Sequence, residues 1–141
     1  MEATPVRVIA KLLRTGQCTL KSGIVRSLAQ LGALKTEFGH IGVLLPPTVH
    51  GERKFRVCEV GPVLRSNAGV DNGGLLREID AFIAKDERGE VQYNVTIFRQ
   101  GTDLVVKDGN KRTIAFYERR KGSSDEIEFP VFIVEPAEQG A

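Results

Sequence analysis

Apolar residues recur at helical spacing in some segments and alternate with polar residues in others, a pattern that predicts a mixture of helices and strands. Helical spacing predicts one helix over residues 75–85 and another that starts at Asn110. Alternation predicts strands over residues 93–99, 104–107 and 129–134, with a hairpin turn between the first two. This order of elements indicates an α+β fold with a small mixed sheet.

The first half of the chain has a less regular pattern. Residues 23–31 place their apolar side chains on one helix face, and a glycine follows as a stop signal, so we predict a helix there. Short strands are expected over residues 41–45 and 55–60, each ended by proline. Residues 6–13 fit a helix or an edge strand, and we favour the strand. Exposed loops are expected over residues 48–54 and 66–74.

A strand end, a glycine turn and a basic helix start follow one another within residues 105–116. The first N–H groups of a helix have no intrahelical acceptor, and the aligned peptide dipoles leave a partial positive charge there, so a phosphate group fits. Gly109 lets the backbone approach a ligand closely, while Lys111 and the planar fork of Arg112 add two cations. We therefore predict a phosphate or nucleotide site formed by Gly109, Asn110, Lys111, Arg112 and Thr113. A solvated turn that opens a surface helix is the alternative.

Two residues of this turn have a second interpretation. Asp108 is a candidate ligand for Mg²⁺, because hard divalent cations prefer carboxylate oxygen, but aspartate is equally typical of a helix cap. Asn110 is a candidate amide donor to phosphate, or a turn residue that tolerates left-handed backbone angles. The sequence leaves both pairs of alternatives open.

Catalysis at this turn would need further polar groups. We take Asp108, Glu59 and Glu78 as candidate catalytic carboxylates, with Asp80 as a further one near the same helix face. Carboxylates on an exposed helix face are equally typical of solvated residues. Arg65, which we place in the glycine-rich loop, is a candidate lid residue that would close over a bound nucleotide.

Length and charge narrow the class of protein. The 141 residues are enough for one domain with its own core. Residues 1–36 contain six Lys or Arg and one Glu, which suits a polyanion such as DNA or a solvated face. Cys18 and Cys58 show no zinc-ligand spacing, and we expect reduced thiols. No apolar run reaches the ~20 residues that span a bilayer, so we expect a cytoplasmic protein with no membrane partner.

From residue 55 onward the chain resembles the ParB/sulfiredoxin-like domain family. In that family a helix leads into a strand pair, a Gly-x-x-Arg turn at a helix start, and a strand that ends in an acid; here Gly109, Arg112 and Glu135 match those positions. The resemblance implies an N-terminal extension over residues 1–54, a ParB/sulfiredoxin-like domain over residues 55–136, and a tail over residues 137–141.

Members of that family bind nucleotides or phosphate-bearing groups at this turn. The resemblance therefore implies nucleotide binding, and hydrolysis of ATP or another nucleotide, phosphoryl transfer or nuclease activity. Mg²⁺ at Asp108 would neutralise charge in such a reaction. Asn110 stands where sulfiredoxin-type enzymes have a reactive cysteine, which argues against sulfinic acid reduction. The chromosome-partitioning members have an acid at this position, whereas kinase-like members are closer to this turn.

Two alternatives come from other features of the chain. Residues 108–113 also match the core of the Fic/Doc motif, whose enzymes transfer nucleotidyl or phosphoryl groups, but Leu104 occupies the position of the catalytic histidine. That family is all-helical, and such a member would be inactive. The basic N-terminal segment, with residues 23–31 as a recognition helix, instead indicates a DNA-binding or regulatory interaction protein of plasmid or phage type without catalysis.

Overall fold

The computed structural model describes residues 14–16, 18–38, 54–66 and 74–136. Within these ranges the strands and helices alternate irregularly along the chain. In chain order they are β1 (Cys18–Ser27), α1 (Leu28–Ala33), α2 (Val57–Ser66), α3 (Leu75–Glu87), β2 (Thr96–Gln100), β3 (Asp103–Asp108), α4 (Asn110–Arg120) and β4 (Glu126–Pro136).

The strands form one mixed sheet in the order β1-β4-β2-β3. β1 and β4 pair antiparallel, β2 and β3 form an antiparallel hairpin, and β4 returns beside β2 in parallel. α4 therefore crosses from the edge strand β3 back to the interior strand β4. The prediction of an α+β fold with a small mixed sheet is confirmed, and this sheet does not match the all-helical fold of the Fic/Doc alternative.

One core joins the helices to a single face of the sheet. Ile97 on β2 and Phe129 on β4 are fully buried, and they pack with Ile79 on α3 and Ile114 on α4. The ring centroids of Phe116 and Phe129 lie 4.7 Å apart, and Tyr93 stands edge-on to both rings. These aromatic contacts fix α4 against the sheet.

A buried carboxylate on α3 ties this helix to the end of α4. Asp86 accepts hydrogen bonds from Arg119 at 2.9 Å, from Arg120 at 2.6 Å, and from the Tyr93 hydroxyl. Burial alone would raise the pKa of Asp86, but the hydrogen bonds from Arg120, Tyr93 and Arg119 outweigh it and lower that pKa. Burial and the neighbouring Asp86 raise the pKa of Tyr93. Asp86 is therefore an ionised structural residue.

The helix predicted over residues 23–31 is wrong in its first half. Residues 23–27 continue β1, where Ile24 lies opposite Pro130 and Val25 lies opposite Phe129. β-Branched side chains favour this extended pairing. The helix starts only at Leu28, because Ser27 caps it by accepting a hydrogen bond from the Gln30 amide.

The strand predicted over residues 55–60 is also wrong. That segment enters α2, whose buried residues Val57, Val60, Gly61 and Leu64 follow helical spacing. Pro62 lies inside this helix and does not end a strand, contrary to the prediction. The packing of the apolar face outweighs the cost of a proline in the helix.

The predictions for the second half of the chain are mostly confirmed. α3 extends two residues beyond residues 75–85, the β2–β3 hairpin has its turn where expected, and α4 starts at Asn110. β2 begins at Thr96, three residues later than predicted, and β4 is longer at both ends. The predictions for residues 6–13, 41–45 and 137–141, and most of the two loop predictions, lie outside the described residues.

Candidate functional site

The turn between β3 and α4 is held tightly against the segment that precedes β2. Gly109 has a φ of 88°, in the left-handed region, and it occupies the N-cap position of α4. A Cβ at this position would lie 2.8 Å from Val95 Cγ2 and 3.3 Å from Val95 Cα. Both the backbone angle and the close approach therefore require glycine.

Within the described part of the chain, the first amides of α4 are open to a ligand. The first intrahelical bond runs from the Thr113 amide to the Gly109 carbonyl at 2.9 Å, and Gly109 has no side chain to cap the amides of Asn110, Lys111 and Arg112. Among the described residues, no acceptor binds these three N–H groups. They point out of the helix start, where the helix dipole favours negative charge.

The residues that carry these amides line a cleft of about 540 Å³. Its floor is the run of residues 107–112, and two aromatic side chains complete the lining, Phe38 after α1 and Phe82 on α3. The backbone of Phe38 is fixed, because its carbonyl accepts from the Phe55 amide at 2.7 Å and its amide donates to the Thr36 hydroxyl at 3.1 Å. The cleft therefore combines a helix N-terminus with aromatic surface.

Among the described residues, Arg112 is the cation of this cleft whose guanidinium has no acidic partner. Its Cζ lies 5.7 Å from the centroid of the Phe82 ring, and no carboxylate of the described residues pairs with it. Lys111 forms an ion pair with Glu78, and Lys107 Nζ lies 3.7 Å from Glu37 Oε2. Arg112 therefore has the planar donor fork that can take a phosphate.

Two residues of the turn use their side chains within the protein. Asn110 donates from Nδ2 to the Val106 carbonyl at 3.0 Å and accepts from the Glu37 amide at 3.3 Å. It is the first residue of α4, and the left-handed angle belongs to Gly109, so Asn110 is not the left-handed turn residue of the second interpretation. Thr113 is fully buried, and its hydroxyl donates to the Gly109 carbonyl at 2.7 Å. These side chains shape the turn, and they leave ligand contact to the backbone amides and to Arg112.

Asp108 lines the cleft at the end of β3. It does not cap α4, because the N-cap residue is Gly109 and no side chain caps the helix. Within the described ranges, no three His, Cys, Asp or Glu side chains are close enough together to hold a metal ion. Mg²⁺ usually takes one or two carboxylates together with substrate phosphates, so Asp108 fits as a single ligand of a phosphate-bound ion.

Other predicted site residues lie elsewhere. Glu59 accepts from the Arg56 amide at 2.9 Å, which caps the start of α2, and it does not line the cleft. Arg65 pairs with Asp80 at 2.9 Å and approaches Glu118 at 3.5 Å. Glu118 is nine residues along α4 from Gly109, about 13 Å at the helical rise, so Arg65 and Asp80 lie beside the other end of that helix. Glu78 alone approaches the turn, through Lys111.

Sequence reasoning missed the aromatic walls of the cleft. The apolar spacing over residues 75–85 predicts only that Phe82 faces the core, and the structure shows it half-buried, packed against the core and lining the cleft. Phe38 follows α1 in a segment without regular periodicity, so no sequence signal pointed to it.

Comparisons with family models, with curated proteins and with solved structures found no match for this chain. In the part of the chain that the structure describes, no helix has the length and apolar character needed to cross a membrane.

Proposed function

We propose that this protein binds a nucleotide, or another ligand that joins a phosphate to a planar ring, in the cleft at the start of α4. The observation that carries this proposal is the juxtaposition of three uncapped helix amides with Arg112, whose guanidinium has no carboxylate partner among the described residues. Amides and a guanidinium together bind phosphate oxygens by charge-assisted hydrogen bonds.

The aromatic walls support a ring-bearing ligand over a bare phosphate. Phe38 and Phe82 both line the cleft, and the volume of about 540 Å³ lies within the usual range for small-molecule sites. A purine or pyrimidine ring would bury apolar surface against these side chains while its phosphates reach the turn. The ring and the phosphate would each contribute to affinity.

Nucleotide hydrolysis or phosphoryl transfer is the enzymatic extension of this proposal. Asp108 would hold Mg²⁺ together with the phosphates, and the ion would neutralise charge on the transferred group. Glu78 is the carboxylate closest to the turn after Asp108, but it is paired with Lys111. A ParB/sulfiredoxin-like architecture and a cytoplasmic location belong to the same proposal. The order of a strand hairpin, a glycine turn, a helix and a strand supports the architecture.

DNA binding has less support in the described residues. The cations Lys21, Arg26 and Lys35 of the basic segment each pair with an acidic side chain. The segment expected to form a recognition helix is mostly strand. A pocket for one nucleotide therefore agrees better with the structure than a surface for a polyanion.

Isothermal titration calorimetry with ATP and Mg²⁺ tests the proposal. We expect one site per chain, weaker binding of adenosine or inorganic phosphate alone, and a loss of about 10- to 150-fold in the ATP affinity of Arg112→Gln. Arg77→Gln, on the exposed face of α3, is the matched control and should bind as the wild type does. Equal ATP affinities for the wild type and Arg112→Gln would refute the assignment.

Duplex DNA serves as the competing probe in the same titration. Binding to many phosphates falls steeply with salt concentration, whereas a single-nucleotide pocket responds much less. DNA binding with a steep salt dependence and no ATP binding would replace our proposal with the DNA-binding alternative.

A further inference from the structure

A second concave site lies between the helix-covered face of the sheet and the end of α1. Its volume is about 510 Å³. Its walls include Val25 on β1, Val131 and Ile133 on β4, and Leu104 on β3. It shares no lining residue with the cleft at the turn. It is therefore a separate candidate for ligand binding.

The walls of this groove are apolar and incompletely covered. Val25, Leu104 and Ile133 pack against the core, but each remains partly accessible. Gly23 also lines the groove, and a Cβ there would already lie 3.2 Å from Ile133 Cδ1. Apolar surface in a concavity of this size favours an apolar ligand, since binding removes it from water.

Two cations stand at the same groove. Lys35 is held by its backbone, which bonds to the Leu104 carbonyl at 3.0 Å and to the Val106 amide at 2.8 Å, and its Nζ pairs with Asp103 at 2.9 Å. Arg56 lies beside it through a short antiparallel bridge, and no described carboxylate pairs with its guanidinium. With Asp103 already paired, the lining has an excess positive charge at Arg56.

We propose that this groove binds a small amphipathic anion, an aliphatic carboxylate of medium chain length. The carboxylate accepts hydrogen bonds from the Arg56 guanidinium, which can bind it with two parallel N–H groups. The alkyl chain lies along Val25, Val131 and Ile133. Charge complementarity selects a carboxylate over an alcohol or an amine of equal length.

Calorimetric titration with octanoate, below its micellar concentration, tests this proposal. We expect one octanoate per chain, about fourfold tighter binding for each added methylene in decanoate, weaker binding of octanol and none of octylammonium. Arg56→Gln should weaken octanoate binding about tenfold and remove the preference over octanol. Arg26→Gln, an exposed arginine of β1 outside the groove, is the matched control and should change nothing.

Two further variants locate the bound octanoate. Ala33→Phe places a large ring at an exposed position of the groove wall and should abolish binding without disturbing the core. Arg112→Gln, at the other cleft, should bind octanoate as the wild type does. The proposal for the groove and the proposal for the cleft at the turn can therefore be refuted independently of each other. The proposal is overturned if octanoate does not bind, if octylammonium binds equally well, if Arg56→Gln has no effect, or if Arg112→Gln weakens binding as much as Arg56→Gln.

Discussion

The turn at Gly109 makes a specific prediction about stability. Replacing Gly109 by alanine forces a residue with a side chain into a φ of 88° and places its Cβ 2.8 Å from Val95 Cγ2. Val95 is fully buried, so its side chain cannot turn into solvent to make room. Gly109→Ala therefore combines backbone strain with a steric clash, and both reduce the free energy of unfolding.

The two contributions can be separated by a matched variant. Gly101 lies in the β2–β3 turn with a φ of 64°, and nothing lies within 4 Å of a Cβ there. Gly101→Ala should reduce the free energy of unfolding only by the cost of a left-handed backbone angle at alanine, roughly 1–2 kcal/mol. Gly109→Ala should reduce the free energy of unfolding by the same cost and by about 1–3 kcal/mol more, because its Cβ overpacks against Val95.

Urea unfolding at equilibrium measures both losses, provided that the slope of the unfolding free energy against urea stays unchanged between variants. The double variant Gly109→Ala with Val95→Ala should recover part of the clash energy, a coupling of about 0.5–3 kcal/mol. If Gly109→Ala loses no more stability than Gly101→Ala, the close approach of the turn to Val95 is refuted. The position assigned to the first amides of α4 is then refuted as well.

Three other changes test the framework that holds the cleft. Pro62→Ala restores a helical N–H inside α2 and should raise the free energy of unfolding by about 1–3 kcal/mol; a decrease in urea unfolding would show that the proline ring is needed there. Asp86→Asn should lower the free energy of unfolding by about 1–3 kcal/mol at pH 7. The pKa of Asp86 is lowered from 3.8 in the folded protein, so the stability that Asp86 contributes is present above pH 3.8 and disappears as the pH falls through the folded pKa. The unfolding free energies of the wild type and Asp86→Asn should therefore converge in acid. A constant difference between them across pH 2–7, roughly the range over which carboxylates titrate, would contradict this. Gly61→Ala should cost about 1–3 kcal/mol in the same assay, because its Cβ would overlap the buried Glu118 carboxylate, and a neutral result would contradict that packing.

The second half of the fold could be predicted because local signals there agree with the tertiary structure. α3 has its apolar residues on one face, the β2–β3 hairpin has a glycine in its turn, and α4 follows a glycine in the left-handed region. Each signal acts within a few residues. The types and the order of the last five elements, from α3 to β4, follow from these local signals.

The errors in the first half have a tertiary cause. Residues 23–27 have apolar spacing that fits a helix face, but the free backbone edge of β4 pairs with them as strand β1. Residues 57–66 contain glycine and proline, yet the buried face of α2 holds them as a helix. Contacts with residues far away in the chain determine the secondary structure of both segments, and the local sequence pattern does not show which residues those are.

The candidate site was predictable only as far as it is local. The run from Asp108 to Arg112 lies together because it is contiguous, and it lines the cleft. Phe38 and Phe82 reach the same cleft from distant segments, whereas Arg65 and Glu59 are held elsewhere by partners on α3, α4 and the start of α2. Contacts between elements decide which side chains join the turn.

Backbone amide NMR during titration with ATP and Mg²⁺ tests the central claim most directly. Our account predicts that the amide resonances of Asn110, Lys111 and Arg112 shift together with one saturation curve, and that Arg112→Gln weakens this curve while Arg77→Gln leaves it unchanged. If ATP saturates the protein and these three amides do not shift, or if no binding occurs, the start of α4 is not a phosphate site.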